Sequence, residues 1–129
     1  NADHRALTEA FKPLPGDAAK VFLPELAPAI EAALERVWEK GVTIRPGGGQ
    51  TEVSARVAQK QDFEEKASHT APFAQAYFAL EAYLQPDRMW ASWTFHESGK
   101  EKGTRYDGLV WIDDHWAWFP KPWRLLPRH

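Results

Sequence analysis

Three residues in the last third of the chain are of the types that acid–base chemistry uses: His96, Arg105 and Asp107. A histidine acts as a general base when a carboxylate orients its ring, so Asp107 set against His96 would make a base, with Arg105 beside it to meet negative charge. The plainer reading is a solvated cross-strand charge group, worth about 0.2–1 kcal/mol per pair. His115 follows Asp113-Asp114, a combination that fits a solvated turn better than a metal centre. His69 reads as exposed, and His4 and His129 lie at the chain ends. With no cysteine there is neither thiolate nucleophile nor Cys-ligated metal. The run Pro46-Gly47-Gly48-Gly49 lacks the Gly-Lys-Ser/Thr of a phosphate loop and reads as a flexible connection. No Gly-x-Ser-x-Gly, His-Glu-x-x-His or dinucleotide fingerprint occurs. Neither a metal nor a cofactor is expected.

The second chemical resource is aromatic. Six of the seven tryptophans fall between Met89 and Trp123. Met89–Glu97 and Thr104–Ile112 flank a polar loop with glycine near each end, and Asp113-Asp114 separates the second run from His115–Phe119, so three consecutive antiparallel strands are predicted. Pairing Glu97 with Thr104 and Ile112 with His115 sorts the side chains onto two faces. One collects Met89, Ala91, Trp93, Phe95, Tyr106, Gly108, Val110, Ile112, Ala117 and Phe119, the natural core face. The other collects Trp90, Trp111, Trp116 and Trp118 together with Thr94, His96, Arg105 and Asp107. Four tryptophans on a face that water would otherwise cover need a ligand or partner over them. Stacking on nucleic acid would call for basic residues, which are sparse there.

The remaining elements must carry that sheet. Ala6, Leu7, Ala10 and Phe11 form the stripe of a short first helix, stopped by Pro13, Pro15 and Gly16. A longer helix starts between Pro24 and Pro28 and buries Leu26, Ile30, Ala33, Leu34 and Val37; Gly41 caps it after Lys40. Val42-Thr43-Ile44 suits the start of a first strand, and Thr51–Gln59 alternates as a half-exposed one. Gln61–Ser68 reads as one or two helical turns anchored by Phe63. Over Phe73–Leu84, alanine content and the spacing of Phe73, Ala76, Tyr77, Leu80 and Leu84 favour helix. The prolines of Pro120–Pro127 forbid a central strand, and the tail wraps back through Trp123, Leu125 and Leu126.

At 129 residues, 43% hydrophobic and 26% charged, the expectation is a single globular domain over residues 1–129. A net charge of −2 carries no nucleic-acid footprint, and no apolar run reaches membrane-spanning length. Asn1-Ala2, without an initiator methionine, reads as a tag remnant. The expectation attached to it is an exported protein, periplasmic or lipoprotein, with its leader removed.

The run Thr104-Arg105-Tyr106-Asp107-Gly108-Leu109-Val110-Trp111-Ile112-Asp113-Asp114-His115-Trp116 and the closing Phe119-Pro120-Lys121-Pro122-Trp123 resemble the last two strands of cystatin-like α+β domains, the superfamily that includes nuclear transport factor 2-like and SnoaL-like proteins. The resemblance implies helices wrapped by a curved antiparallel sheet, often with a conical pocket, and dimerisation through the outer sheet face. It also implies a strand over Phe73–Leu84, against local propensity. The expected fold is α+β, N-terminal helices on a curved antiparallel sheet. The expected function is a small binding or interaction domain, taking a small apolar ligand or a protein partner, with a homodimer as one form. The alternative is a pocket enzyme of isomerase or dehydratase type with Asp107 or His96 as base.

Overall fold

A computed structural model describes residues 3–70, 73, 75–100 and 102–127, with only the main chain of Asp3 and His4. Asn1, Ala2 and His129 lie outside the described residues. The fold is α+β: helices packed on a four-stranded antiparallel sheet. In chain order the elements are α1 (Asp3–Ala10), α2 (Asp17–Val21), α3 (Ala27–Lys40), β1 (Glu52–Gln59), α4 (Lys60–Glu64), α5 (Ala76–Leu80), β2 (Met89–His96), β3 (Gly103–Ile112) and β4 (His115–Trp118). Strand order in space equals strand order in the chain, β1-β2-β3-β4. Helix α3 runs as its punctuation predicts: a 3-10 turn, Pro24–Leu26, leads into it, and Gly41 ends it at φ +93° with its N–H on the Trp38 carbonyl.

The β3–β4 register is the one expected, Ile112 opposite His115, but the β2–β3 register is not. Thr104 faces Phe95 and Gly103 faces His96, which moves the loop between the strands one residue toward the N-terminus, to residues 97–102, without changing its length. Further along, Ser92 faces Asp107 but Ala91 faces Leu109, so Gly108 is an extra residue in β3, a β-bulge. Gly108 sits at φ +95°, and a Cβ there would land on the Phe119 carbonyl oxygen and press on Pro122. The bulge is held on both sides: Gly108 donates its N–H to Tyr77 Oη (2.7 Å) and its carbonyl accepts from Phe119 N–H (2.7 Å).

One inserted residue reverses the phase of everything after it. Leu109 and Trp111 therefore point the same way as Ala91, Trp93, Phe95 and Tyr106, while Val110 and Ile112 point with Trp90 and Ala117. The expected face carrying Trp90, Trp111, Trp116 and Trp118 together does not form. Trp90 stands on the opposite side of the sheet from the other three. The side bearing Trp90 is here termed the helix face and the other the open face.

The helix face carries the main core. Val21 and Phe22, Ile30 and Leu34 of α3, Phe63 of α4, and Tyr77 and Leu80 of α5 close over Trp90, Val110, Ile112 and Ala117. The rings interlock: Phe63 stacks on Tyr77 at 5.2 Å and Phe22 meets Trp90 edge-on at 5.9 Å. The indole N–H of Trp90 has no hydrogen-bond partner among the described residues, a burial that costs about 1–3 kcal/mol and is offset by packing. Phe73–Leu84 is helical over Ala76–Leu80, with a 3-10 turn at Glu81–Tyr83, because Phe73, Tyr77, Leu80 and Leu84 all reach the core at helical spacing. It follows local propensity and not the strand that the cystatin-like resemblance implies. The tail folds back as expected, with Leu125 buried and Trp123 on Tyr77 at 5.5 Å.

A smaller cluster covers part of the open face, built from Ile44, Trp93 and Trp118, with Phe11, Trp38 and Tyr106 packed around it. Here two expectations are corrected. Val42-Thr43-Ile44 is not a strand: Ile44 N–H is taken by Thr8 Oγ1 (2.7 Å) and Arg45 N–H by Tyr106 Oη (3.0 Å), so side chains satisfy what a ladder would have. In α1 that duty buries Thr8 and leaves Leu7, expected inside, 41% exposed.

Candidate functional site

His96 ends β2 on the helix-face side of the sheet, beyond the reach of the helices that make the core. It is nearly buried. Its Nδ1 lies 3.1 Å from the Glu97 carbonyl oxygen, which can only accept, so Nδ1 carries the proton. Nε2 then accepts from the Ser54 hydroxyl across the β1–β2 ladder at 2.9 Å. The Glu52 carboxylate stands further off, 3.8 Å from Nδ1.

Asp107 does not orient this histidine. It faces Ser92, four residues down β2 from His96, which amounts to about 13 Å along a strand. Asp107 accepts instead from Ser92 Oγ (2.7 Å) and from Arg105 Nε (3.2 Å). The expected trio of His96, Arg105 and Asp107 thus separates into a Ser54–His96 pair and a Ser92–Asp107–Arg105 group. Arg56, Lys100 and Arg105 help to line the shallow depression of about 360 Å³ that connects them. The partner sequence reasoning missed is Ser54. The alternation of β1 places it on the face of Thr94 and His96, but only the β1–β2 register sets it beside the imidazole.

The tryptophans meet equally different fates. Trp90 is fully buried, and Trp118 is buried with its indole N–H on the Asp107 carbonyl (2.9 Å). Trp116 is half-buried, and Trp111, edge-on to it at 5.3 Å, is 39% exposed. Around Trp111 the open face is apolar. Val53 and Val57 from β1 and Met89 from β2 share it, and Leu7 of α1 borders it. Five of the seven large hydrophobic side chains exposed among the described residues gather there. Between them runs a groove of about 320 Å³ with the small side chains of Ala55 and Ala91 in its lining. Sequence alternation pointed to Val53 and Val57, but as half of an ordinary strand. What it lacked was the phase shift that brings Trp111 to the same side.

Against known protein families, curated proteins and solved structures the chain gives no match. The site is therefore read from its own geometry. Among the described residues no helix is long and apolar enough to cross a membrane.

His115 has a fixed place in this geometry. Both ring nitrogens face carboxylates: Nδ1 lies 2.7 Å from Asp114 and Nε2 2.8 Å from the buried Asp17, which also accepts the Leu14 N–H. Contact with two acceptors requires both N–H groups, so Asp114 first and Asp17 second raise the His115 pKa above its ordinary value. The turn before it is pinned too, since Asp113 receives Arg88 at 2.8 Å, and that guanidinium holds its carboxyl below the usual range. The His115 group ties the N-terminal helices to the β3–β4 hairpin, a mechanical role.

Proposed function

We propose that this protein is a non-catalytic interaction domain whose open sheet face seats a second copy of the same chain. The observation that carries the proposal is the gathering of Leu7, Val53, Val57, Met89 and Trp111 on one face. A lone exposed leucine needs no partner; a contiguous patch of this kind does. The groove lining holds no charged side chain, so its occupant must be neutral and apolar, as this face itself is. Twofold self-association also needs a knob and a hollow on the same surface. Trp111 supplies the knob and the Ala55–Ala91 floor the hollow. The closing hairpin's cystatin-like resemblance agrees with this reading, since dimers through the outer sheet face are common in that superfamily.

The isomerase or dehydratase alternative has less behind it. The Nε2 lone pair of His96 is engaged by Ser54, and Asp107 is engaged by Ser92 and Arg105.

Five exposed apolar side chains on one face suit a weak dimer, with an expected dissociation constant on the order of micromolar. Sedimentation velocity across a concentration series should show the sedimentation coefficient rise with loading. Val57→Lys, at an exposed β1 position away from the core, should leave the circular dichroism spectrum intact and hold the protein monomeric. A wild-type chain that stays monomeric throughout the series would sink the proposal, as would an equally dimeric Val57→Lys.

A further inference from the structure

β4 ends at Trp118 while its neighbour β3 begins at Gly103, so Thr104–Asp107 has no strand partner on that side. Helix α3 and the returning tail stand off from this bare edge and leave a cleft of about 700 Å³, within the size range of small-molecule sites. Its wall is apolar where Val37, Val42, Trp118 and Leu125 meet. Its rim is cationic: Arg36 and Lys40 from α3, Arg105 from β3, Lys121 and Arg124 from the tail. Asp107 is the only carboxylate in the lining, and Arg105 already pairs with it at 3.2 Å. Among the described residues Arg36, Lys40, Lys121 and Arg124 make no ion pair, although acidic side chains outnumber basic ones in the chain, 18 to 16.

Lys40 alone would need no ligand, because a cation at a helix C-terminus is favoured by the backbone dipole. That explanation does not reach Arg36, Lys121 or Arg124, which come from separate places in the chain and repel one another across one opening. Three cations without ion pairs around a partly apolar cleft are arranged for an anion with an apolar body.

We infer that the α3–β3–tail cleft binds a small amphipathic anion: a carboxylate or phosphate carried on an aromatic or aliphatic body. The body lies against Ala33, Val37 and Val42, with the buried Trp118 and Leu125 behind them, and the anionic group is held by Arg36 and Arg124 with Lys121 beside them. The cations gather on one cleft from α3, β3 and the tail, which favours a small ligand over a nucleic-acid strand. The inference goes beyond the dimer proposal and is independent of it, since the two linings share no residue.

The experiment compares naphthalene-1-acetate with its neutral isostere naphthalene-1-acetamide by isothermal titration calorimetry, with intrinsic tryptophan fluorescence as a second readout. The acid should bind at least about tenfold more tightly than the amide, and added salt should narrow the gap. Arg36→Gln combined with Arg124→Gln changes only exposed side chains, so the fold should persist by circular dichroism. The double variant should lose about tenfold in acid binding while binding the amide as before. Val57→Lys, which tests the dimer, should leave acid binding unchanged. Equal binding of acid and amide would overturn the inference. So would an acid affinity indifferent to the double substitution, no binding of the acid up to its solubility, or binding confined to oligonucleotides or anionic vesicles offered in the same buffer.

Discussion

Trp90 and Trp111 stand one register step apart on paired strands, β2 and β3, and their surroundings have almost nothing in common. Trp90 has no exposed surface and is closed in by the rings of Tyr77 in α5, Phe119 just after β4 and Phe22 in the α2–α3 connection; Trp111 is 39% exposed, with the ring of Trp116 edge-on to it. Residue type does not separate them and neither does strand position. Gly108 does. By adding one residue to β3 it sends Val110 and Ile112 to the helices and Trp111 to the open side. A single backbone conformation thus decides which tryptophan is core and which is left exposed.

The largest effect should come from removing that conformation. Gly108→Ala places a side chain at φ +95° against the Phe119 carbonyl and Pro122, neither of which can move without disturbing the tail. Loss of upward of about 4 kcal/mol is expected, seen as failure to fold or a collapsed denaturation midpoint. A stable Gly108→Ala variant with unchanged tryptophan fluorescence would mean the bulge is not needed to set the two faces apart. Next in size, Trp90→Ala should cost about 3–5 kcal/mol in urea denaturation, whereas Trp111→Ala should cost less than about 1 kcal/mol. Similar costs would erase the distinction between the faces.

The smallest effect concerns the latch between the N-terminal helices and the hairpin. The folded-state pKa of His115 is raised above 6.5, so its contribution to stability is fully present below pH 6.5 and is lost as pH rises through the raised value. Melting temperature should therefore decline on the alkaline side of pH 6.5 in wild type relative to His115→Asn. Parallel pH profiles for the two proteins would show that the imidazolium does not stabilise the joint.

Much of this architecture is legible in the sequence. Helix α3 (Ala27–Lys40) carries its own start, stripe and stop. β1 shows its alternation, Phe63 its role as a lone anchor, and Asp113-Asp114 its hairpin. Those signals are local, each arising within a few residues of backbone. The face assignment was not legible because it depends on Gly108 being a bulge, and a glycine inside a strand run also fits an ordinary ladder position. The sequence misplaces Ile44 in a strand and gives no sign of its partner Thr8 for a related reason. Their hydrogen bond joins segments 36 residues apart, and a buried threonine on a helix leaves no trace in apolar periodicity. The Ser54–His96 pair and the cationic cleft likewise exist only once β1 lies on β2 and the tail returns to α3.

The strand order also governs how the chain finds its shape. β2, β3 and β4 follow one another through residues 97–102 and then 113–114 alone, so their pairing closes short loops at little entropic cost. β1 must wait for the whole of residues 60–88 to be spanned before it meets β2. The tryptophan hairpins are the natural nucleus, and β1, the strand that carries Val53 and Val57, joins late. The exposed apolar face is thereby completed only after the core behind it has formed. Such a sequence of events protects a sticky face from premature association during folding.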